Sequence, residues 1–266
     1  MSDETSLVRR AATFLQGGEV HTLELAREVL GLSGNAGAAS AAVFSLLGSD
    51  PRFEVNGRGC WSLATDASVS GEELDDLVYA VVDVETTGGS PDRGHRITDV
   101  AVVEVRGGMI AKDFQTLVNP GRAIPPRVSD LTGITDEMVE GSPFFEDLAE
   151  DLFQWLDGKV FVAHNVSFDW RFVSAQLGDA IGSVPKGPRL CTIQLARRFA
   201  PGLTRRNLDS LAKHFGIPIH SRHRAYGDAL ATARILLRLL DEAQGRGVRD
   251  LTSLQKILQT NRRGRP

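Results

Sequence analysis

Hydrophobic and polar residues follow two different periods from residue 77 onward. Three short apolar runs, LVYAVVDVET, RITDVAVVEVRGG and MIAKDFQTLVNP, follow one another over short connections and predict an antiparallel meander of strands. KVFVAHN is almost wholly apolar, as expected of a strand at the centre of a sheet. Apolar residues recur every three to four positions, the period of helices, in FFEDLAEDLFQWLDG, SFDWRFVSAQLG, NLDSLAKHFG and AYGDALATARILLRLLDEAQ. The pattern predicts an α/β domain whose mixed sheet is covered by helices on both faces.

The first 66 residues have a different order of predicted elements. SLVRRAATFLQ, TLELAREVLG and NAGAASAAVFSLLGSD predict three helices, and RFEVNGRGCWSL predicts two short strands about a turn at Asn56-Gly57. In this order the segment resembles the small winged-helix domains that are fused to nucleic-acid enzymes. Its 8 acidic and 5 basic residues do not favour binding to phosphate, so direct DNA contact and protein docking both stay open.

A polar stretch separates the two regions. TDASVSGEELDD lacks apolar periodicity and is typical of a linker. We therefore predict a winged-helix-like domain at 1–66, a linker at 67–77, an α/β domain at 78–243 and a basic C-terminal tail at 244–266, in which SLQKILQT forms a final helix.

Composition narrows the class of protein. The 266 residues are 42% hydrophobic and 24% charged, as in soluble globular proteins, and no apolar run approaches the length of a membrane span. MSDETSLVRR lacks the pattern of a secretory signal, and the two cysteines, Cys60 and Cys191, have neither disulfide-framework nor metal-ligand spacing. We expect a cytoplasmic protein with reduced thiols and no membrane partner.

Charge is distributed unevenly along the chain. Residues 71–160 contain 19 acidic and 7 basic residues, whereas residues 186–224 contain 9 basic residues and a single acidic one. The tail from 245 adds 6 basic residues against one aspartate. Two interpretations fit this asymmetry: a polyanion held beside an acidic metal site, or scattered solvated arginines.

Two carboxylates interrupt the first apolar run. In VVDVETTG, Asp83 and Glu85 are two residues apart, so in a strand they point the same way while Val82 and Val84 point into the core. Adjacent carboxylates repel each other and resist burial unless a cation lies between them. They lie either at an exposed end of an edge strand or around a divalent cation.

Further groups of the same chemistry favour the cation. VAHNVSFDWRF places Asp169 at the start of a helix that follows a buried strand, and HRAYGDALAT places His223 five residues before Asp228 at a second loop-to-helix boundary. Catalytic groups tend to lie where rigid elements meet loops at one sheet edge. Oxygen donors without a cysteine ligand suit Mg²⁺ or Mn²⁺ rather than zinc.

The segments DVETTG, HNVSFD and HRAYGD resemble, in order and spacing, the three motifs of the DEDDh 3′–5′ exonucleases. That family includes the epsilon subunit of bacterial DNA polymerase III and has a ribonuclease H-like fold. The resemblance covers about residues 78–240, including FQTLVNPGRAIPPRVSDLTGIT between the first two motifs. It implies that Asp83, Glu85, Asp169 and Asp228 hold two ions, Mg²⁺ or Mn²⁺, and that His223 is the general base.

These residue types suit phosphodiester hydrolysis. The reaction needs a deprotonated water and relief of charge on the leaving 3′ oxygen, which two cations about 4 Å apart provide. A histidine can take the proton of the water near neutral pH.

The resemblance also implies contacts with the terminal nucleotide. The expected substrate-binding residues are Thr86, Thr87, Leu131, Thr132, Gly133, His164, Asn165, Phe168 and Arg222. Structural roles compete at several of them: strand-end threonines, a helix-linking turn at Gly133, and core packing of Phe168. One departure concerns Cys191, because many relatives carry an aspartate there; we expect a small buried residue, and the five catalytic positions are intact.

Three functions are compatible with the sequence. The first is a metal-dependent 3′–5′ exonuclease that releases nucleoside monophosphates from single-stranded or frayed DNA ends, in proofreading or DNA repair. The second keeps the mechanism but acts on RNA or short oligonucleotides, and the third is a non-catalytic DNA-binding regulator that uses the N-terminal domain. A polymerase or repair-protein partner is a further expectation. The short tail lacks a convincing clamp motif, which slightly favours a stand-alone or differently tethered enzyme.

Overall fold

The structure, a computed structural model, describes residues 2–15, 18–47, 53–55, 59–63 and 73–259. It divides into two units, residues 1–70 and 71–266, and each unit has a hydrophobic core of its own. Across the described ranges, every helix is too short or too polar to span a membrane.

The N-terminal unit contains three helices and a small antiparallel sheet. Its elements are α1 (Ser2–Leu15), β1 (Val20–His21), α2 (Thr22–Leu30), α3 (Ala36–Leu47), β2 (Phe53–Val55) and β3 (Cys60–Leu63), with strand order β1-β3-β2. Trp61 fills the core and donates from Nε1 to Thr22 Oγ1 at 3.0 Å, which ties β3 to the start of α2. The predicted order of three helices before paired strands is observed. The predicted turn at Asn56-Gly57 lies outside the described residues, and the winged-helix assignment stays a prediction.

The C-terminal unit is built on a five-stranded mixed sheet. Its strands are β4 (Val78–Thr86), β5 (Ile97–Arg106), β6 (Met109–Leu117), β7 (Val160–Ala163) and β8 (Arg189–Cys191), in the order β6-β5-β4-β7-β8. The first three form the antiparallel meander predicted from their short connections, and β7 and β8 run parallel to β4. Gly107 and Gly108 join β5 to β6 with φ values of 55° and 69°, as a tight hairpin turn requires.

Helices cover both faces of this sheet. They are α4 (Pro126–Thr132), α5 (Asp136–Val139), α6 (Phe145–Leu156), α7 (Val166–Ile181), α8 (Thr192–Phe199), α9 (Leu208–Phe215), α10 (Ala225–Gly245) and α11 (Leu251–Gln259), with a 3₁₀ turn at Pro91–Arg93. The mixed sheet with helical layers confirms the predicted fold class. The strand β8 escapes sequence prediction because three residues are too short to show a period.

The two faces of β4 have different neighbours. Val82 and Val84 pack into the core formed with α6 and α7, as the alternation predicts. Helix α10 packs on the opposite face of β4 and β5. The sheet therefore presents Asp83 and Glu85 toward the layer that contains α10.

Short contacts hold both ends of this unit. Leu74 is buried, its amide donates to Arg249 O at 2.7 Å, and its carbonyl accepts from the Tyr79 hydroxyl at 2.7 Å. Leu254 of α11 is also fully buried, and α11 packs on α8. Residues 73–77, predicted as linker, and 249–259, predicted as tail, thus contact the α/β unit. The domain boundaries themselves remain predictions.

Two truncations test where the unit begins. A chain that starts at Gly71 retains its whole core and is expected to melt within about 3 °C of the full chain's transition for this unit. A chain that starts at Val78 lacks Leu74 and Leu77, which are 1% and 6% exposed. Loss of two buried leucines is expected to destabilise it by about 4 kcal/mol or more. Thermal unfolding followed by circular dichroism compares the three proteins; equal melting of both truncations would place the boundary at 78.

Candidate active site

Strand β4 carries the first two carboxylates of the site. Asp83 and Glu85 are both half-buried, and Glu85 lies opposite Asp99 in the β4–β5 register. Val84 between them is 4% exposed. The rigid strand therefore fixes two acidic groups on one face, as predicted.

Asp169 reaches the same strand from the first turn of α7. Pairing between β4 and β7 covers only Tyr79–Val81, so β4 runs past the end of β7. There the amide of Val84 donates to Asp169 Oδ1 at 3.2 Å. This hydrogen bond ties a buried carboxylate, 4% exposed, to the backbone between Asp83 and Glu85.

Asp228 and His223 complete the cluster from α10 and the loop before it. Asp228 lies in the first turn of α10, and its Oδ2 accepts from the His223 amide at 3.3 Å and from Arg222 Nη1. Its Oδ1 is buried and has no hydrogen-bond partner among the described residues. Ligand atoms of Glu85, His223 and Asp228 all lie within 4.8 Å of one another.

The loop that presents His223 has an unusual backbone. Ser221 and His223 adopt φ values of 56° and 61°, which side chains other than glycine rarely adopt. Strained backbone of this kind clusters at functional sites. The loop lies so close to α10 that a Cβ on Gly227 would come within 2.0 Å of His220 O. Only glycine fits there, immediately before Asp228.

The pKa values of all four carboxyl groups are raised above their usual range. Burial, reinforced by the charges of Asp169, Glu85 and Asp228, raises the pKa of Asp83 well above its usual range. Burial and the charge of Asp228 raise the pKa of Glu85 to about 8, and burial raises the pKa of Asp169 to about 7. Burial also raises the pKa of Asp228, although Arg222 opposes the shift. Arg222 is thus a cation that opposes three of these raised pKa values, and burial outweighs its effect at each of the three groups.

This arrangement fits a divalent cation. The donors are carboxylate oxygens, the ligands that hard cations such as Mg²⁺ and Mn²⁺ prefer. The Oδ1 of Asp228 is buried and has no hydrogen-bond partner among the described residues, so it is available as a ligand atom. A bound cation would offset the burial and the mutual repulsion that raise the carboxyl pKa values.

A second set of charges, which the sequence did not single out, orients α10. Asp99 is 4% exposed, and its Oδ2 accepts from Arg224 Nε at 3.0 Å and from the Ala225 amide at 3.2 Å, at the first residue of the helix. Asp209 accepts from Arg222 Nε at 3.0 Å. Asp99 had a visible signal, because a lone aspartate in the apolar run ITDVAVV requires a partner when buried.

The predicted substrate contacts after β4 are mostly enclosed. Thr86 is 7% exposed and donates to Gly88 O at 2.7 Å. Thr87 is fully buried, and its hydroxyl lies 3.3 Å from His95 Nδ1 and accepts from the Arg96 amide at 3.1 Å. Both side chains hold the loop after the strand.

The predicted LTGIT contacts differ in exposure. Leu131 is 57% exposed, whereas Thr132 is buried and donates to Val128 O at 2.9 Å. Gly133 ends α4 with φ 69°, which confirms the helix-linking turn. Of this segment, Leu131 offers the accessible apolar surface.

The remaining predicted contacts surround the start of α7. His164 Nδ1 lies 2.9 Å from Thr192 Oγ1, and burial together with the charge of Arg222 lowers the pKa of His164 to about 4. Asn165 is exposed at the N-cap of α7. Phe168 packs on Phe172 with ring centroids 5.1 Å apart. Arg222 joins Asp209 and Asp228. Cys191 is buried and free, as expected.

Comparison with known proteins places the α/β unit in a family. The model of the RNase T family, described as Exonuclease, matches residues 80–236. DNA polymerase III subunit epsilon of Aquifex aeolicus is 35% identical over 187 residues, which are 70% of this chain and 92% of that protein. The 3′-5′ exonuclease DinG of Bacillus subtilis is 38% identical over 181 residues, which are 68% of this chain but 19% of DinG.

Solved structures show the same fold. Exonuclease X in complex with 5′-overhanging duplex DNA aligns with a TM-score of 0.52 and 28% identity over 62% of this chain and 93% of that one. The nuclease domain of 3′hExo, a DEDDh family member bound to rAMP, aligns with a TM-score of 0.54 at 19% identity over 64% of this chain and 95% of that one. Because the family model covers residues 80–236, which contain the whole acidic cluster and its histidine, and the epsilon subunit is matched over 92% of its length, the chain belongs to the Exonuclease (RNase T) family.

Proposed function

We propose that the protein is a metal-dependent 3′–5′ exonuclease that releases nucleoside monophosphates from single-stranded or frayed 3′ ends of DNA, in proofreading or repair. The observation that carries the proposal is the shared location of one histidine and four carboxylates that come from three separate segments of the chain. They are Asp83, Glu85, Asp169, His223 and Asp228. Family membership supports the same reaction.

The four aspartate and glutamate side chains are the proposed ligands for divalent cations, with Mg²⁺ or Mn²⁺ in two positions. Bound there, the cations would supply Lewis acidity toward the attacking water and neutralise charge on the leaving oxygen. The chain's contribution is to fix the ligands: Val84 N orients Asp169, and His223 N orients Asp228. The negatively charged phosphate can enter this site only when bound cations offset the negative charge of the carboxylates.

His223 is the proposed general base. Its ring lies beside Glu85 and Asp228 and its backbone amide is bonded to Asp228, so its position is coupled to that of the ligands. It would accept the proton of the attacking water as the new phosphorus–oxygen bond forms. His164 is less suited to this role, because its low pKa leaves it neutral but weakly basic.

DNA is favoured over RNA by the relatives. The aligned relatives include a DNA polymerase III subunit and an exonuclease solved with duplex DNA, at 35% and 28% identity. The rAMP-bound neighbour, at 19% identity, informs the fold alone. A non-catalytic regulator is disfavoured because clustered carboxylates repel phosphate. The epsilon relative also supports a polymerase as partner of this chain.

A digestion panel tests the activity, its polarity and its sugar preference. We expect Mg²⁺- or Mn²⁺-dependent release of mononucleotides from the 3′ end of single-stranded DNA, less from blunt duplex or RNA, and none with chelator. Asp83→Asn should lower the rate at least about 100-fold, because it removes a ligand and a charge from the pocket. Asp113→Asn, on the exposed face of β6, is the matched control. Full activity of Asp83→Asn would remove Asp83 from the site, and preferred digestion of RNA would replace DNA as substrate.

The raised pKa values predict how stability depends on pH. Unfolded carboxyl groups titrate near pH 4, whereas Glu85 and Asp169 have folded pKa values of about 8 and 7. Between these values the folded state binds more protons, so this cluster lowers stability as pH rises from about 4 to 8. Without metal, Asp83→Asn should therefore melt higher than wild type by about 2–5 °C at pH 8, with a smaller difference at pH 5.

Bound metal should reverse this difference, so that wild type melts at a higher temperature than Asp83→Asn. Ligands must be deprotonated to bind, so Mn²⁺ should raise the wild-type melting temperature more at pH 8 than at pH 5 and have little effect on Asp83→Asn. Differential scanning fluorimetry measures both effects, with Asp113→Asn as control. A wild-type protein that is more stable than Asp83→Asn in chelator at pH 8 would contradict the repulsion on which the site depends.

His223→Ala tests the general base. Turnover of single-stranded DNA should fall about 100-fold or more, and the pH dependence of kcat between about 6 and 8 should flatten. His214→Ala changes an exposed histidine of α9 and should leave both unchanged. Metal-induced thermal stabilisation should survive in His223→Ala, which separates lost proton transfer from a lost site. An unchanged pH profile would exclude His223 as the base.

A further inference from the structure

A second concave site lies on the outer side of the loop that carries His223. It has a volume of about 280 Å³ and is formed by the loop before α10, the first three turns of α10 and the outer strand β6. We call it the anion cleft, and its polar lining consists of Gln115, His220, Ser221, Arg224, Tyr226 and Arg234. No residue of the catalytic set lines it.

The charged side chains that line the anion cleft are all basic. Two arginines and a histidine line it, and none of its lining residues is aspartate or glutamate. Arg224 uses Nε for Asp99, at 3.0 Å, and its side chain remains 37% exposed. Arg234 is half-buried and forms no ion pair with any residue in the described ranges, whereas Arg96, Arg222 and Arg246 each pair with a carboxylate. Among the described residues, Arg234 is thus a cleft cation with no carboxylate partner, whereas the charge of Arg224 is paired with that of Asp99.

Its chemistry matches a phosphoryl group. Guanidinium groups recognise phosphate through paired N–H donors, and concave walls focus their field. Tyr226, Ser221 and Gln115 add neutral hydrogen-bonding groups on the other sides. The volume is below that of pockets that enclose drug-sized ligands, so it suits one phosphate with its sugar.

We propose that the anion cleft binds a backbone phosphate of the DNA substrate, at a nucleotide other than the one being hydrolysed. This rests on the proposed exonuclease function, which supplies a strand next to His223. Ser221 and Arg224, which line the cleft, flank Arg222 and His223 of the catalytic site in the chain, so one short loop contributes to both. A released mononucleotide carries the same phosphoryl chemistry and is the other source of ligand to be distinguished.

The test compares long and small substrates in Arg234→Ala. For single-stranded DNA of about 20 nucleotides, KM should rise about fivefold and the slope of log KM against log salt concentration should fall by about 0.7, as expected for one lost phosphate contact. The p-nitrophenyl ester of thymidine 5′-monophosphate reaches only the catalytic pocket, so its kcat and KM should not change. Arg238→Ala, one turn further along α10 and exposed, is the matched control. Equal melting temperatures would show that all variants fold.

A binding measurement separates this inference from the proposed function. Fluorescence anisotropy with the same labelled strand in the Asp83→Asn background needs no catalysis, and Kd should also rise about fivefold on Arg234→Ala. Inhibition by thymidine 5′-monophosphate identifies the source of the phosphate. Weaker inhibition in Arg234→Ala with unchanged strand KM and Kd would overturn the strand assignment in favour of mononucleotide. Unchanged values in all three measurements, or an equal loss on the small ester, would overturn the anion cleft.

Discussion

Burial of four neighbouring carboxyl groups, reinforced by repulsion between their charges, is the constraint on which the site of the C-terminal unit depends. Asp83 and Glu85 cannot separate because they lie on one strand, and Asp169 is tied to the same strand through Val84 N. Burial raises the pKa of Glu85 to about 8, with a further contribution from the charge of Asp228, and raises the pKa of Asp169 to about 7, so the ionised forms of these groups are destabilised in the folded protein. Proteins accept such local cost where the chemistry requires it, and rigid cores elsewhere offset it. Here the core of β4, α6 and α7 behind Val82 and Val84 has that role.

The placement of α10 depends on a second layer of charge. Asp99 accepts from both Arg224 and the first amide of the helix, and this fixes the turn that carries Asp228. Gly227 then allows the strained loop with His223 to approach the helix. Arg224 contributes to both regions, because its Nε holds Asp99 while its exposed part lines the anion cleft. A ligand on that cleft would therefore contact the same residue that orients the catalytic helix.

The sequence predicts a secondary-structure element well where a hydrophobic period extends over many residues. It predicts poorly where contacts between distant segments determine the burial of a residue. The alternation of β4 predicts the shared face of Asp83 and Glu85, and the apolar run predicts β7. By contrast, TDASVSGEELDD is polar enough to indicate a linker, yet Leu74 within it is buried against residue 249. Thr87 was expected to meet substrate because it follows two ligands, but only the fold shows its hydroxyl occupied by His95 and Arg96. The close approach at Gly227 has no sequence signal beyond the glycine itself.

The N-terminal unit differs from the C-terminal unit in the chemistry of its third helix, which is apolar and uncharged. In a winged-helix arrangement the third helix offers the surface that would enter a DNA groove, and such contact requires cations for phosphate and hydrogen-bonding side chains for bases. Helix α3, AGAASAAVFSLL, contains no charged residue, and its Phe44 is 47% exposed beside Trp61. Exposed apolar surface of this kind contributes nothing to phosphate binding. Its burial against another protein is favourable, because apolar surface is then removed from water. Of the two roles that the sequence leaves open for this unit, the composition of α3 therefore supports protein docking over direct reading of DNA.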